Sequence, residues 1–283
     1  MFSIIIPTWN NLEYLKLCVE SIGKNSSHQN QVILHVNDGS DGTLDWARKN
    51  GIDHTHTRQN AGICLGVNQA AMLAKHDYLV YMNDDMYVCP DWDWYLSEEI
   101  RALRTDLFML SSTMIEPVKT SNQCTIFWDF GKDLKTFREE ELLSMYEKLN
   151  KDDWNGASWP PTVVSRKYWF ITGGYSVEFS PGMSSDDDFS MKMWKAGCRT
   201  FKGVGKSRVY HFQTKSTARV KKNNGRRQFL FKWGINQSTF NKHFLRRGTP
   251  FHGLLKAPRP LILRSELLRA WIKMKLTTNP FKS

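Results

Sequence analysis

Paired cysteines, long apolar runs and a secretory leader pattern are all missing from this sequence. The 283-residue chain has five cysteines, an odd number with no C-x-x-C spacing. They fit neither a disulfide framework nor a zinc knuckle and favour a reducing compartment. The strand-like run Phe2–Ile6 follows Met1 directly, without the basic region and long apolar core of a signal peptide. We therefore expect a cytoplasmic protein. The cysteines are Cys18, Cys64, Cys89, Cys124 and Cys198.

The sequence also lacks several loops that mark large enzyme classes. It contains neither G-x-G-x-x-G nor G-x-x-x-x-G-K-[ST], which argues against Rossmann dehydrogenases and P-loop enzymes. No G-x-S-x-G elbow is present, which argues against an α/β-hydrolase. No apolar run is long enough to span a bilayer.

Acidic residues are almost absent from the last third of the chain. Residues 201–283 hold 20 Lys and Arg and one acid, Glu266, which gives +19, whereas the whole chain carries +11. The first 200 residues are therefore net acidic. A tail of this charge favours polyanionic partners, such as nucleic acid, anionic lipid headgroups or diphosphate-bearing substrates.

Strand-like and helix-like patterns alternate through the first 115 residues. Apolar or β-branched runs are followed by segments with apolar residues at helical spacing. This alternation predicts right-handed βαβ units and an α/β fold with a mainly parallel, doubly wound sheet. The strand-like runs are Phe2–Pro7, Gln31–Val36, Ile52–Thr57 and Tyr78–Met82.

Polar residues follow these runs where the strands end. In open sheets of this kind, ligands bind beyond the carboxyl ends of the strands, so we expect one face to collect these residues. The polar segments are Thr8–Asn10, Asp38–Ser40, Arg58–Gly62 and Asn83–Asp85.

The triplet Asn83-Asp84-Asp85 is the strongest candidate for a metal site. Adjacent carboxylates repel each other unless a cation or hydrogen-bond donors compensate. A hard divalent cation that shares ligands with a phosphate is the usual compensation. A solvated turn explains the triplet equally well when it is considered alone.

Two further candidates lie in the second half of the chain. Asp186, Asp187 and Asp188 precede a predicted helix that ends at Gly197, and three acids exceed what helix capping needs. One of them is a candidate general base. His211, at the end of a predicted short strand Val209–Phe212, can join carboxylates on a metal only if it faces the same cleft. We also predict a strand at Trp169–Tyr175.

Taken in order, these motifs resemble those of the GT-A fold glycosyltransferases of family two. The resemblance runs from Phe2 to roughly Gly234. Each motif is weak alone, and the ordered set is specific. The matching segments are Ser3–Asn10, Asn37–Thr43, Asn60–Gly62 with Asn68, Asn83–Asp85 at the D-x-D position, Gly173–Tyr175, Ser185–Phe189, Ala196-Gly197, His211 and Ser216.

The resemblance implies a Rossmann-like GT-A domain that transfers a sugar with inversion from a nucleoside-diphosphate sugar to a glycan or lipid-linked acceptor. Residues 1–115 would form the donor half, residues 116–234 the acceptor and catalytic half, and residues 235–283 a basic helical extension. Thr8 and Asp38 would hold the base, and Asp84 the ribose. The implied donor-binding residues are Pro7, Thr8, Asn10, Asp38, Asn60, Gly62, Asn83 and Asp84.

The resemblance also implies the metal site and the base. Asp85 and His211 would ligate Mn²⁺ or Mg²⁺ on the diphosphate, and Asp186 would deprotonate the acceptor hydroxyl. Two positions depart from the family pattern. Asn83 replaces the first acid of D-x-D, and Ser185 replaces the Glu before Asp186, so Asp187 remains an alternative base.

The basic tail suggests two further contacts. The segment 215–222, with Lys215, Arg219, Lys221 and Lys222, is a candidate loop over the diphosphate, and a solvated basic surface is the alternative. Residues 261–275 mix apolar and basic positions and predict a peripheral contact with an anionic membrane. A helix docked on the protein's own core or a dimer contact explains the same pattern.

Two other function classes are compatible with parts of the sequence. A sugar-nucleotide nucleotidyltransferase would also use acidic strand ends and Mg²⁺, but it needs a Gly-rich basic loop that Pro7–Asn10 lacks. A non-enzymatic nucleic-acid binder would use the basic tail. The acidic first 200 residues argue against that class, so we expect no nucleic-acid partner.

Overall fold

The protein is described by a computed structural model that covers residues 1–214 and 220–281. In this part of the chain, ten strands form one sheet. The strands are β1 Ser3–Trp9, β2 Gln31–Asn37, β3 Asp53–Thr57, β4 Tyr78–Tyr81, β5 Met86–Val88, β6 Phe108–Glu116, β7 Ile126–Phe127, β8 Trp154–Asn155, β9 Thr162–Ser165 and β10 Thr200–His211. The main path of the sheet has the order β3-β2-β1-β4-β9-β6-β10-β5, while β7 pairs with β6 and β8 with β10.

The helices cover both faces of this sheet. Short 3₁₀ turns lie at Tyr146–Lys148 and Val177–Phe179, and a π-helical turn lies at Phe240–Phe244. The α-helices are α1 Leu12–Asn25, α2 Thr43–Lys49, α3 Gly62–Ala71, α4 Trp92–Leu103, α5 Glu139–Met145, α6 Arg166–Thr172, α7 Ser185–Lys195, α8 Gly225–Trp233, α9 Gln237–Thr239 and α10 Pro260–Leu276.

The predicted α/β fold is confirmed, and its first half is parallel. β1 pairs in parallel with β2 and β4, and β2 with β3. The second half mixes directions, because β9 runs antiparallel to β4 and β6 while β10 runs parallel to β6. The apolar run of β1 is buried, as expected for a strand covered by helices on both faces.

The predicted strand at Trp169–Tyr175 is wrong. The structure has helix α6 there, which ends at Gly173 with a left-handed φ of 74°. Trp169 is buried while Phe170 and Ile171 are exposed, so the helix buries one face only. A short apolar run does not by itself distinguish a helix from a strand.

The strand predicted at Val209–Phe212 is much longer in the structure, where β10 begins at Thr200. Charged residues hide its first part from a hydrophobicity pattern. Lys202 is buried and pairs with Glu99 and Asp153 at 2.7 and 2.8 Å. Because burial of a charge is costly without partners, these carboxylates allow a lysine inside the sheet.

The end of the chain contributes to the same hydrophobic core as the sheet. Phe240, Leu245 and Leu255 are buried in the cluster that contains Ile5 and Ile33. Helix α10 is different, because Ala270 is its only buried residue. Over the described residues, no helix has both the length and the apolar character needed to cross a membrane. The division at residues 115 and 234 remains a prediction.

Candidate active site

The carboxyl ends of β1, β2 and β4 meet at one edge of the sheet. The parallel register sets Trp9 opposite Asn37, so both strands stop at the same level. The N–H of Met82 donates to the carbonyl of Ile5, which continues the parallel register and brings Asp84 beside Thr8 of β1. These strand ends form one wall of a cavity of about 370 Å³, which we call the donor cavity.

Asp84 is tied to β1. The Thr8 hydroxyl donates to Asp84 Oδ2 at 2.7 Å. Thr8 is buried, so this hydrogen bond fixes the carboxylate against the strand end. Both residues line the donor cavity, together with Pro7, Asn60 and Asn83.

Asp38 and Asn10 pair with each other beside the cavity rather than in its wall. Asn10 Nδ2 donates to Asp38 Oδ2 at 2.9 Å, and Asn10 Oδ1 accepts the Gly39 N–H at 3.0 Å. The Asn10 bond holds the pKa of Asp38 below its usual value. In place of Asp38, the neighbouring Asn37 lines the cavity.

The loop before α3 closes another side of the cavity. Asn60 Oδ1 accepts the Gly62 N–H at 2.9 Å, and Asn37 Oδ1 accepts the Ala61 N–H at 2.9 Å. Gly62 has a φ of +80°, and a Cβ there would lie 2.9 Å from the Cα of Pro181. Glycine is therefore required both by the backbone conformation and by the close approach of a second loop.

Asp85 and His211 are brought together by strand pairing. β5 runs antiparallel to β10 with Met86 opposite His211, which places the residue before Met86 next to the histidine. His211 Nε2 lies 3.5 Å from Asp85 Oδ1. The N–H and hydroxyl of Thr214 donate to Asp85 Oδ2 at 2.8 and 2.7 Å.

Glu116, at the end of β6, completes this cluster. Its carboxylate lies 3.0 Å from His211 Nδ1. Burial alone would lower the pKa of His211, but Asp85 and Glu116 outweigh it and raise the pKa to about 10. Burial would likewise raise the pKa of Asp85, but His211 and Thr214 hold it below its usual value.

Asp85 and His211 are the residues of this cluster that could ligate a divalent cation, which would have to displace the proton from His211 Nε2. Glu116 bonds to Nδ1 of His211, and Nε2 of the same ring faces Asp85. In metal-binding histidines one ring nitrogen is likewise bonded to a carboxylate while the other faces the metal. In the described residues, no group of three or more His, Cys, Asp or Glu could hold a metal. Two protein ligands suit a cation that takes its remaining oxygens from phosphates and water.

Asp186 lies in the first turn of α7 and is only partly exposed. Its Oδ1 accepts the Tyr175 hydroxyl at 2.7 Å. Burial raises the pKa of Asp186 to about 7, and Asp187 adds to this, while the Tyr175 bond and Arg247 oppose it. A carboxyl with this pKa is well matched to proton transfer near neutral pH.

Asp187 has a different environment although it is the next residue. It is buried, and its Oδ1 lies 2.5 Å from Arg247 Nη2. Its Oδ2 accepts a hydrogen bond from Gln237. Both oxygens are therefore engaged. Asp188 is also buried and bonds to Ser176 and Trp233.

Asp186 opens on a second cavity of about 370 Å³, which we call the acceptor cavity. This cavity shares wall residues with the donor cavity, among them Asn83, His211 and Gln213. The structure thus brings the metal candidates and the candidate base to two adjoining spaces.

The tail loop is only partly described. Lys215, Ser216 and Arg219 lie outside the described residues, so their predicted roles are not addressed. Val220 lines the donor cavity, and Lys221 and Lys222 are exposed.

Several residues of the site carried no recognised sequence signal. Glu116 and Thr214 flank the Asp85–His211 pair, and Arg247 reaches Asp187 from 60 residues away. Tyr175 belonged to a recognised Gly-Gly-Tyr motif without an assigned role. Only the fold reveals these partners, because they are distant in sequence from the residues they contact and belong to no recognisable motif for that contact.

The sequence comparison identifies the family to which this fold and site belong. The model of glycosyl transferase family 2 matches residues 3–159, more than half of the chain. The chain therefore belongs to glycosyl transferase family 2, and the predicted resemblance is confirmed. Uncharacterized glycosyltransferase YfnE of Bacillus subtilis strain 168 is 32% identical over 94 residues, which are 31% of this chain and 24% of that protein.

Solved structures share the fold at low sequence identity. S. aureus TarS 1-349 in complex with UDP-GlcNAc is 14% identical with a TM-score of 0.58, over 82% of this chain and 63% of that one. GalNAc-T7 with UDP, GalNAc and Mn²⁺ is 16% identical with a TM-score of 0.55, over 80% and 44%. The chain thus spans less than two thirds of each of these proteins.

The contrast between Asp186 and Asp187 predicts opposite effects on stability. The raised pKa of Asp186 means that ionisation opposes folding, and this penalty is complete above about pH 7 and absent below about pH 4. Asp186→Asn should therefore stabilise the protein by roughly 1–3 kcal/mol at pH 8 and by little at pH 4. Asp187→Asn should destabilise it by about 3 kcal/mol, because Arg247 loses its charge partner.

Urea denaturation of both variants and the wild type at the two pH values measures these differences. If Asp186→Asn changed the free energy of unfolding equally at pH 4 and pH 8, the pKa of Asp186 would not be raised by folding. That result would contradict the prediction.

Proposed function

We propose that this protein is a metal-dependent, inverting glycosyltransferase. It moves a sugar from a nucleoside-diphosphate sugar to a hydroxyl of a glycan or lipid-linked acceptor. The observation that carries the proposal is the placement of Asp186. A carboxyl with a pKa of about 7 opens on a cavity that adjoins the space beside Asp84, Asp85 and His211.

The donor cavity suits a nucleoside diphosphate sugar. Asn37, Asn60 and Thr8 supply amide and hydroxyl groups for the base, and Asp84 supplies an acceptor for ribose hydroxyls. Asp38 and Asn10, which lie beside the donor cavity, would contact the nucleotide base from outside the cavity wall. Neighbours of the same fold bind this class of ligand, since TarS is seen with UDP-GlcNAc and GalNAc-T7 with UDP and Mn²⁺.

Asp85 and His211 would hold Mn²⁺ or Mg²⁺. The bound cation would supply Lewis-acid compensation for charge that develops on the leaving diphosphate. Thr214 orients Asp85 through two hydrogen bonds, and Glu116 orients His211 through Nδ1. These positioning bonds keep the two ligands directed toward each other.

Asp186 would accept the proton of the acceptor hydroxyl. The hydroxyl oxygen then attacks the anomeric carbon, the bond from that carbon to the diphosphate breaks, and the diphosphate leaves with the electron pair. One displacement with one base inverts the anomeric configuration. Asp187 is a weaker candidate for the base, since Arg247 and Gln237 occupy its carboxylate.

We also propose that helix α10 lies on an anionic membrane surface. Leu261, Leu268, Ile272 and Leu276 are exposed, with Leu276 at 80%. At 100° per residue these four positions share the outward face, opposite the buried Ala270. An outward apolar stripe of this kind is costly in water and favourable at a bilayer interface.

Basic residues flank that stripe. By the same helical spacing, Arg264 and Lys275 lie on one side of it with the exposed Trp271 beyond them. Arg269 and Lys273 lie on the other side, with the exposed Ile262 between them. The only acid of the helix, Glu266, faces inward and accepts a hydrogen bond from Thr239 at 2.9 Å. Such an order of charges is complementary to anionic headgroups above an apolar layer.

The first test concerns the base. Asp186→Asn should retain nucleoside diphosphate binding and lower transfer by about 10²-fold or more, because general base catalysis is worth that much. In the wild type, the rate should rise with pH through about 7, since the carboxyl must lose its proton. Transfer assays from pH 5 to 9 measure both effects. Wild-type turnover in Asp186→Asn would move the base to Asp187 or elsewhere.

The second test concerns the metal. Asp85→Ala should abolish the Mn²⁺ dependence of nucleoside diphosphate binding, because it removes the only proposed carboxylate ligand. Calorimetric titration of UDP with and without Mn²⁺ measures this, and Asp45→Ala on the surface is the control. Unchanged Mn²⁺ dependence in Asp85→Ala would contradict the ligand set. Binding of polynucleotide but of no nucleoside diphosphate by the wild type would overturn the whole proposal.

The third test concerns α10. The wild type should sediment with vesicles of phosphatidylglycerol and phosphatidylcholine, and Leu268→Glu with Ile272→Glu should lower the bound fraction at least tenfold. Met72→Glu is the control, since Met72 is 71% exposed and lies outside the tail. Equal sedimentation of the double variant and the wild type would exclude α10 as the contact.

A further inference from the structure

A third cavity, of about 410 Å³, lies next to the acceptor cavity. Trp159 belongs to the walls of both, so the two spaces adjoin at this side chain. The wall of the third cavity contains three cations, Arg226, Arg247 and Lys273, and no carboxylate. The other wall residues are neutral and polar.

Arg247 is the fixed part of this wall. Its guanidinium lies 4.4 Å from the centre of the Trp159 ring. Nη2 donates to Asp187 Oδ1 and to Ser158 Oγ at 2.5 and 2.6 Å. Nε is buried and has no hydrogen-bond partner among the described residues. The guanidinium is thus held in place while one of its N–H groups stays unsatisfied.

Arg226 and Lys273 supply charge that nothing nearby compensates. Arg226 lies in the first turn of α8 and Lys273 in the last turns of α10, and both are exposed. Neither forms an ion pair within residues 1–214 and 220–281. Asp187 neutralises only Arg247, so two positive charges remain to attract an anion.

We propose that this cavity binds a phosphate group of the acceptor substrate. The inference rests on the proposed glycosyltransferase function and names the class of its acceptor. Guanidinium groups recognise phosphate oxygens through directed N–H donors, and a lysine adds a mobile point charge. An acceptor held here by its phosphate reaches past Trp159 into the cavity where Asp186 receives the hydroxyl proton.

The position of Lys273 also relates this cavity to the membrane face. Lys273 belongs to one flank of α10, whose outward stripe we place on a bilayer. With α10 on a bilayer as proposed, Lys273 connects this cavity to the helix that meets the lipid headgroups, which favours a lipid-borne phosphate. A soluble phosphorylated glycan has the same recognition chemistry.

Inorganic phosphate is the first probe of this cavity. With UDP and diamagnetic Mg²⁺ present at saturation, so that the donor cavity is filled, the wild type should broaden the ³¹P resonance of added phosphate. Arg226→Gln with Lys273→Gln should weaken this binding about tenfold or more, since both substitutions remove a cation that would contact the phosphate. Arg264→Gln with Lys275→Gln removes the same charge elsewhere and should leave it unchanged.

Three results would overturn the proposal: no phosphate binding by the wild type, full binding by Arg226→Gln with Lys273→Gln, or equal loss in the control variant. UDP binding by each protein is recorded in the same samples. If the wild type did not bind UDP, the glycosyltransferase function itself would be contradicted. Failure of the phosphate site and failure of the proposed function are therefore distinguishable.

A second pair of probes separates the two sources of phosphate. Glucose 1-phosphate in solution and a short prenyl phosphate in detergent micelles are compared as competitors of inorganic phosphate. Stronger competition by the prenyl phosphate assigns the cavity to a lipid-borne acceptor, and stronger competition by glucose 1-phosphate to a soluble one. Failure of both to compete contradicts an acceptor phosphate site.

Discussion

The antiparallel pairing of β5 with β10 is the constraint on which the site depends. It sets Met86 opposite His211 and so brings Asp85 to the imidazole across 126 residues of sequence. Taking a carboxylate out of water is unfavourable unless donors compensate, and Thr214 and His211 supply them. The same pairing orders the end of β10, from which the chain leads into the segment beside the donor cavity.

Three consecutive carboxylates at the start of α7 differ in their hydrogen-bond and charge partners. Asp187 and Asp188 are buried with charged or polar partners and tie α7 to later segments. Asp186 has a tyrosine hydroxyl but no ion pair in the described chain, so burial dominates and its pKa rises. The fold thus leaves the ionisation of Asp186 unfavourable and compensates that of Asp187, which is why the proposed base is the first of the two.

Much of the donor half was predictable from sequence, since β1, β2 and β4 are mainly apolar runs followed by polar residues. The family and the α/β fold followed from the order of short motifs. The second half was harder, because Lys202 and Arg208 interrupt the pattern of β10 and α6 is a short apolar helix. Glu116 and Arg247 could not be predicted as site residues, because tertiary pairing alone brings them to His211 and Asp187.

The excess positive charge of the tail has several separate uses in the fold. Lys202, Lys232 and Arg247 pair with acids of the first 200 residues and act within the folded core. On α10, Arg269 pairs with Glu266 at 3.0 Å, whereas Arg264, Lys273 and Lys275, and Arg226 in the wall of the third cavity, form no ion pair in the described residues. On α10 exposed apolar side chains lie among the basic ones. Solvation of lysine and arginine does not require this mixture, and it is what supports the proposed contact with an anionic surface.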